Sequence, residues 1–258
     1  MSNCQIAVKP LWNSSKIFSI CINRMSNDPY RSVSGEVLYL HDDEGQVGHE
    51  NFVITKDLNL NRTLRVICRI YQEDLLRDVT YTVDQNWIPQ DAFVRLSVDG
   101  VFKGSGWFKF FGDVVECENF TKEAGRASQK QILKGPIQSF GAHPVSNDAW
   151  GCAAFDMSRP SEKQHFNNVV TTSKTAHGNT GPSIMLTEKY ISFHGQENIS
   201  VPAGNFEVNY YQISWDGRED MKNWPPIHIW ATHDDFIIVK IRWDHLKSDY
   251  VLNRLDLD

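Results

Sequence analysis

Proton-transfer chemistry needs side chains that titrate near neutrality, and the densest supply of candidates is the stretch Ser139–Trp150, SFGAHPVSNDAW. His143 can exchange a proton near pH 7, and Asp148, five residues on, can hold its imidazole after a turn through Pro144 and Asn147. Trp150 can supply an aromatic wall. The competing reading is a surface bend, because Pro, Asn and Asp are also ordinary turn residues. Arg126, after Gly125, can bind a carboxylate or phenolate, or simply be a solvated cation. Tyr210 shares a strand face with Phe206 and Val208; its phenol can serve a ligand or a core carbonyl. His228 stands on an apolar face, where a hydrogen-bonded core histidine is the plainer alternative to a catalytic acid.

These residues are positioned by strands. From Gly35 to Phe120 the sequence offers seven β-branched or aromatic runs: Gly35–His41, Asn51–Lys56, Thr63–Gln72, Asp78–Val83, Phe93–Val98, Val101–Phe111 and Val114–Phe120. Asp99-Gly100 and Gly112-Asp113 are hairpin signals. A two-residue turn at the second sets Lys109 opposite Glu116 and Trp107 opposite Glu118, leaving Phe108 and Phe110 on the inner face with Val115 and Cys117. Arg126–Leu133 and Ser183–His194 add further strand-like text. The tail is a meander of five runs, Gln196–Val201, Phe206–Trp215, Ile227–Thr232, Phe236–Trp243 and Tyr250–Leu255, broken by turn residues. If Asp234-Asp235 is a two-residue turn, Trp230 faces Val239 and His228 faces Ile241. His228 and Trp230 then share an interior face with Ile237, Val239, Ile241 and Trp243. Outside the strands, Ser14–Met25 has the apolar spacing of a short helix, although its isoleucines also suit a first strand, so residues 1–34 are an N-terminal arm or helix. Residues 155–182 read as a lid-like loop.

Composition narrows the function. The chain of 258 residues has 41% hydrophobic content, enough for one large β domain, and no repeat divides it. No run approaches eighteen apolar residues, which argues against membrane insertion by a helix. The opening MSNCQIAVKP lacks the basic-then-apolar pattern of an export signal, so a cytoplasmic location is expected. A formal charge of −6 without any Lys/Arg cluster argues against nucleic acid as a partner. The five cysteines (Cys4, Cys21, Cys68, Cys117, Cys152) are scattered, excluding a compact zinc ribbon; Cys68 and Cys117 are expected as buried thiols. No metal-ligand spacing, nucleotide-binding glycine pattern, Gly-x-Ser-x-Gly elbow or redox-cofactor motif is present, so no metal and no cofactor is expected. Eight tryptophans favour a pocket for a flat apolar ligand, with Trp150, Trp230, Trp243, Phe108 and Phe110 as candidate lining.

The segment Glu197-Asn-Ile-Ser-Val-Pro-Ala-Gly-Asn-Phe206, followed by Trp224-Pro225-Pro226-Ile-His-Ile-Trp230 and a last hairpin, resembles a group of uncharacterised bacterial β-proteins. These are lipocalin-like half-barrels related to periplasmic lipoprotein carriers. The resemblance covers the last quarter of the chain and implies a sheltered apolar hollow, without supplying catalytic residues. Relatives with such a tail are associated with bacterial turnover of aromatic compounds.

The expectation is therefore an all-β, mainly antiparallel protein, either a single curled sheet or a lipocalin-like barrel. Its expected function is cofactor-independent lyase or isomerase chemistry on an aromatic or apolar small molecule. His143 would be the base, Asp148 its partner, His228 or Tyr210 the acid, and Arg126 the group that steadies developing negative charge. The alternative is a non-catalytic carrier of a lipid or aromatic ligand, and a homodimer is left open.

Overall fold

A computed structural model describes residues 31–257, apart from positions 174, 176, 217, 218 and 220. The proposed N-terminal helix, with Cys4 and Cys21, lies outside them. The first half is β1 (Arg31–His41), β2 (Gly45–Lys56), β3 (Arg62–Ile70), β4 (Leu75–Val83), β5 (Pro89–Val98), β6 (Val101–Phe111), β7 (Val114–Thr121) and β8 (Gly125–Ile132). The middle carries β9 (Ser139–Gly141), the short helix α1 (Val145–Trp150), a 3-10 turn at Gly151–Ala154 and β10 (Gln164–Thr171). The second half is β11 (Met185–Val201), β12 (Gly204–Ser214), β13 (Ile227–Ala231), β14 (Ile238–Trp243) and β15 (Ser248–Leu257).

All fifteen strands form one sheet in the order β8-β7-β6-β5-β4-β3-β2-β1-β15-β14-β13-β12-β11-β10-β9. β1–β8 and β10–β15 are antiparallel meanders, β9 joins β10 in parallel, and β1 pairs with β15 where the halves meet. The order leaves β8 and β9 as free edges, so the sheet is curled and unclosed rather than a sealed barrel. Alternation along the strands sends one side chain in two inward, as in β4, where Leu75, Arg77, Val79, Tyr81 and Val83 are all buried. The curl brings distant strands together across the concave side. Phe140 of β9 packs on Tyr81, Phe108 and Phe110, with ring centroids 5.1–5.4 Å apart. α1 closes one end of the interior, its Trp150 lying 5.7 Å from Tyr81 and 5.4 Å from Trp87.

Segment 172–184 ties the ends of the sheet together. Asn119 of β7 donates to the Pro182 carbonyl (2.8 Å), and Ile184 N–H donates to Gln129 of β8 (2.9 Å). The lid-like loop expected over residues 155–182 is thus cut by β10; irregular chain remains on both sides of that strand. β10 was hidden because Gln164–Thr171 is polar and pairs partly with β9 in parallel. The two runs Ser183–His194 and Gln196–Val201 are one strand, β11, with a register shift at Gly195, whose φ of +109° suits glycine.

Candidate functional site

The site is built around a carboxylate that the sequence analysis did not single out. Glu50 of β2 is fully buried and sits against the start of α1. Val145 N–H donates to its Oε2 (3.0 Å) and Ser146 N–H to its Oε1 (2.8 Å), while Tyr39 OH donates to Oε2 (2.6 Å) and Ser146 Oγ to Oε1. Burial raises the carboxyl pKa; these four donors pull against it. A side chain from another strand thereby satisfies orphan N–H groups at the head of the helix. Asn147 closes the preceding corner, accepting from Ala142 N–H (2.5 Å) and donating to the Phe140 carbonyl (3.1 Å). The corner passes through His143, whose φ of +75° is rare outside glycine. Its ring packs so closely on Gly178 that a Cβ there would stand 2.4 Å from the imidazole.

Beside α1 the concave side opens into a cavity of about 140 Å³. Its polar end carries Arg77, His143, Asp148 and Lys189, and its apolar end includes Ile213, Trp215, Ile227, Ile241 and Trp243. Asp148 keeps some accessible surface, and that surface faces the hollow. Burial pushes its carboxyl up to about 7; Glu50 adds to the rise, while Lys189 and Arg77 oppose it. Lys189 is buried at 8% exposure and donates to Ser139 Oγ (3.0 Å) and the Gly151 carbonyl (3.1 Å). Burial lowers its pKa, against the pull of Cys152 and Asp148. Arg77, at 1% exposure, donates through Nη2 to the carbonyls of His177 and of Gly178 (3.0 Å) on the covering segment. His177 pairs in turn with Glu73. A carboxyl titrating near neutrality beside a buried amine in a hollow can pass a proton to and from a bound molecule.

The structure brings His143, Asp148 and Trp243 to this hollow, as the sequence suggested. His143 Nε2 lies 3.2 Å from Thr171 Oγ1, so threonine is one partner of the imidazole. Trp150, Phe108 and Phe110 are core rings, not cavity lining. The expected Gly112-Asp113 hairpin register is found, with Lys109 opposite Glu116, Phe108 opposite Cys117, and Trp107 outside.

Four candidates fall elsewhere. His228 and Trp230 face outward, opposite Arg242 and Lys240, while Ile227, Ile229 and Ala231 face in. The Asp234-Asp235 corner is not a two-residue turn. Residues 232–237 form the loop, and a bulge at Trp230/Ala231 shifts the register by one, which turns every side chain over. Tyr210 is on the same outer face, its OH 2.6 Å from His228 Nδ1 and its ring stacked 4.7 Å from Trp230. Arg126 is 84% exposed on the edge strand β8, near Glu118. None of these four can reach the hollow.

Glu50, Arg77 and Lys189 had a signal that went unread. Each is the charged member of an inward-facing set: Glu50 with Phe52 and Ile54, Arg77 with Val79 and Tyr81, Lys189 with Ile191. Cys68, Cys117 and Cys152 are buried free thiols. Among the described residues no group of three or more His, Cys, Asp or Glu side chains is placed to hold a metal ion. No helix among them is long and apolar enough to cross a membrane, which says nothing about crossing by strands.

Fold and site together define a curled, mainly antiparallel sheet with a mixed polar and apolar hollow on its concave side. Among solved structures, the chain is similar in fold to a β-barrel-like protein of a domain of unknown function, DUF1849, from Brucella abortus. It aligns over 89% of this chain and 98% of its own with a TM-score of 0.54 at 14% identity, a likeness of fold alone. No protein-family description matches the sequence, and no curated protein does.

Proposed function

We propose that this protein is a cofactor-independent enzyme of the lyase or isomerase type, acting on an aromatic or apolar small molecule bound in the hollow. The observation that carries this reading is Asp148, whose carboxyl is held near pH 7 on the wall of a cavity beside the buried amine of Lys189. An acid–base group works best when its pKa lies near the operating pH. Ionised Asp148 takes a proton from the bound molecule. Lys189 and Arg77 stabilise the negative charge that develops, and the protonated carboxyl returns its proton to a leaving group or to a second carbon. His143, on the same wall, is a second proton carrier. These roles differ from the sequence expectation, in which Asp148 only oriented His143 and Arg126 met the negative charge. The buried thiols fit a reducing compartment, so the cytoplasm is the proposed location.

A carrier of an apolar ligand is the second reading. The Ile and Trp end of the hollow and the lipocalin-like tail favour it. The polar end weighs against it, because an apolar cargo gives Asp148 and Lys189 nothing to do and leaves their desolvation unoffset. Size weighs too: a partly open space of about 140 Å³ suits one ring better than an acyl chain.

The test is proton exchange. Single-ring aryl compounds bearing acidic C–H groups are incubated with the protein in deuterated water, and label incorporation and product are followed by proton NMR. Asp148→Asn should cut exchange by roughly 10²-fold or more while binding survives. A compound that binds the hollow of both forms equally, with neither exchange nor product, assigns the protein to the carriers.

A further inference from the structure

Two cations face the hollow without a carboxylate in ion-pair contact. Arg77 and Lys189 are each more than nine-tenths buried, and their hydrogen bonds go to neutral acceptors: for Arg77 the carbonyls of His177 and Gly178 and the Cys68 thiol, for Lys189 Ser139 Oγ and the Gly151 carbonyl. Neither forms an ion pair with a carboxylate among the described residues. Carbonyls and hydroxyls satisfy N–H groups, but they do not cancel net charge in a low-dielectric interior. Glu50, which could have cancelled it, is held by the head of α1 and Tyr39 and does not line the cavity. Of the lining carboxyls, only Asp148 stands near them, and it is not in contact with Lys189. Facing the polar end are Arg77 from β4, His143 and Asp148 from the β9–α1 corner, Lys189 from β11, and His177 from the covering segment. His177 is paired with Glu73, which acts on Arg77 only from a distance, so Arg77 and Lys189 are the cations that reach the hollow with no carboxylate in contact.

We propose that the hollow binds an organic monoanion, a single-ring carboxylic acid whose carboxylate lies against Arg77 and Lys189 and whose ring lies towards Trp215 and Trp243. This deepens the enzyme reading by naming the substrate class, and it rests on the hollow being that enzyme's site. The charge selects an anion. The apolar end, with Trp215 and Trp243 at 6.0 Å from each other, selects a ring over an inorganic ion. The volume of about 140 Å³ limits the body to one ring with a short side chain, since a comparable cavity of about 150 Å³ just holds benzene. A guanidinium is suited to a carboxylate because its N–H groups match the two oxygens. A purely structural role for Arg77, as a staple on the covering segment, would account for its carbonyl contacts but predicts no preference for charged ligands.

The experiment measures binding by tryptophan fluorescence and calorimetry for trans-cinnamate, its uncharged counterpart cinnamyl alcohol, and inorganic phosphate. Cinnamate should bind at least tenfold more tightly than the alcohol, and phosphate should not compete at the concentration that saturates with cinnamate. Arg77→Gln and Lys189→Met should each lower cinnamate affinity about tenfold while leaving the alcohol unchanged, so the acid-to-alcohol ratio falls towards one. Should Arg77→Gln fail to fold, Arg77→Met, which keeps the apolar stem and removes the charge, together with Lys189→Met supplies the same ratio. Equal affinity for acid and alcohol in the natural sequence, or a ratio unmoved by both Lys189→Met and the Arg77 variant, overturns the anion proposal while the hollow remains a binding site. Absence of binding by either aryl compound overturns both readings. Tight binding of phosphate overturns the ring acid in favour of an inorganic anion.

Discussion

Replacing Asp148 by Asn should make the folded protein more stable at pH 8, although it removes the residue on which the proposed chemistry rests. The folded-state pKa of Asp148 is raised by burial to about 7 from 3.8, so the folded protein holds a proton that the unfolded chain has released above about pH 4. Stability falls with rising pH wherever the folded state binds more protons. The penalty is absent below about pH 4, grows between about 4 and 7, and is fully present above 7. A difference of about three in pKa corresponds to about 4 kcal/mol at 1.36 kcal/mol each, and relaxation and water in the cavity reduce this to about 2–4 kcal/mol. Asn has nearly the same shape and carries no charge. Urea unfolding of Asp148→Asn and the natural sequence at pH 4 and pH 8, followed by tryptophan fluorescence, measures the effect. Equal stability of the two at pH 4 and a gain of about 2–4 kcal/mol at pH 8, with unchanged m-value, is the expected outcome. A gain that is the same at both pH values, or no gain at pH 8, means that Asp148 titrates like an ordinary carboxyl and removes the acid–base argument.

Other perturbations separate the site from its support. Glu50→Gln keeps the size but turns an NH₂ group towards donors that need an acceptor, and should cost about 2–4 kcal/mol in urea unfolding; a loss under about 1 kcal/mol would show that the carboxylate does not organise α1. Gly178→Ala meets both the His143 ring at 2.4 Å and a φ of +61°, so it should destabilise by about 1–3 kcal/mol and increase hydrogen exchange across the covering segment. His228→Ala and Arg126→Ala should leave cinnamate affinity within about twofold, because both side chains point away from the hollow; a larger loss would contradict the outward register of β13. Burial pushes Cys68 up to about 11 and Cys117 and Cys152 up to about 12, so peptide mapping after iodoacetamide at pH 7.5 should find these three unmodified until urea is added.

What could be read ahead of the structure followed from local rules. β-Branched and aromatic runs separated by turn residues marked nearly all the strands, and the Gly112-Asp113 hairpin had the register its turn implies, since two residues and a glycine fix the pairing. The Asp234-Asp235 hairpin failed for the same kind of reason. A bulge adds one residue without any compositional mark, and one residue is enough to carry His228 and Trp230 from the inner face to the outer. α1 was missed because its six residues begin after a proline and carry no cap of their own; the cap arrives from Glu50, about ninety-five residues away in the chain.

The sequence by itself determined an all-β chain, its meandering order, the burial of Cys68 and Cys117, and the presence of proton-exchanging groups around His143 and Asp148. Periodicity and turn chemistry are local, so they survive without a partner. Only the curl of the sheet decided that Arg77 of β4 and Lys189 of β11, with seven strands between them in one direction of the sheet, would flank Asp148. That meeting depends on the summed twist and closure of many strands, and it is there that burial gives the carboxyl its altered proton affinity.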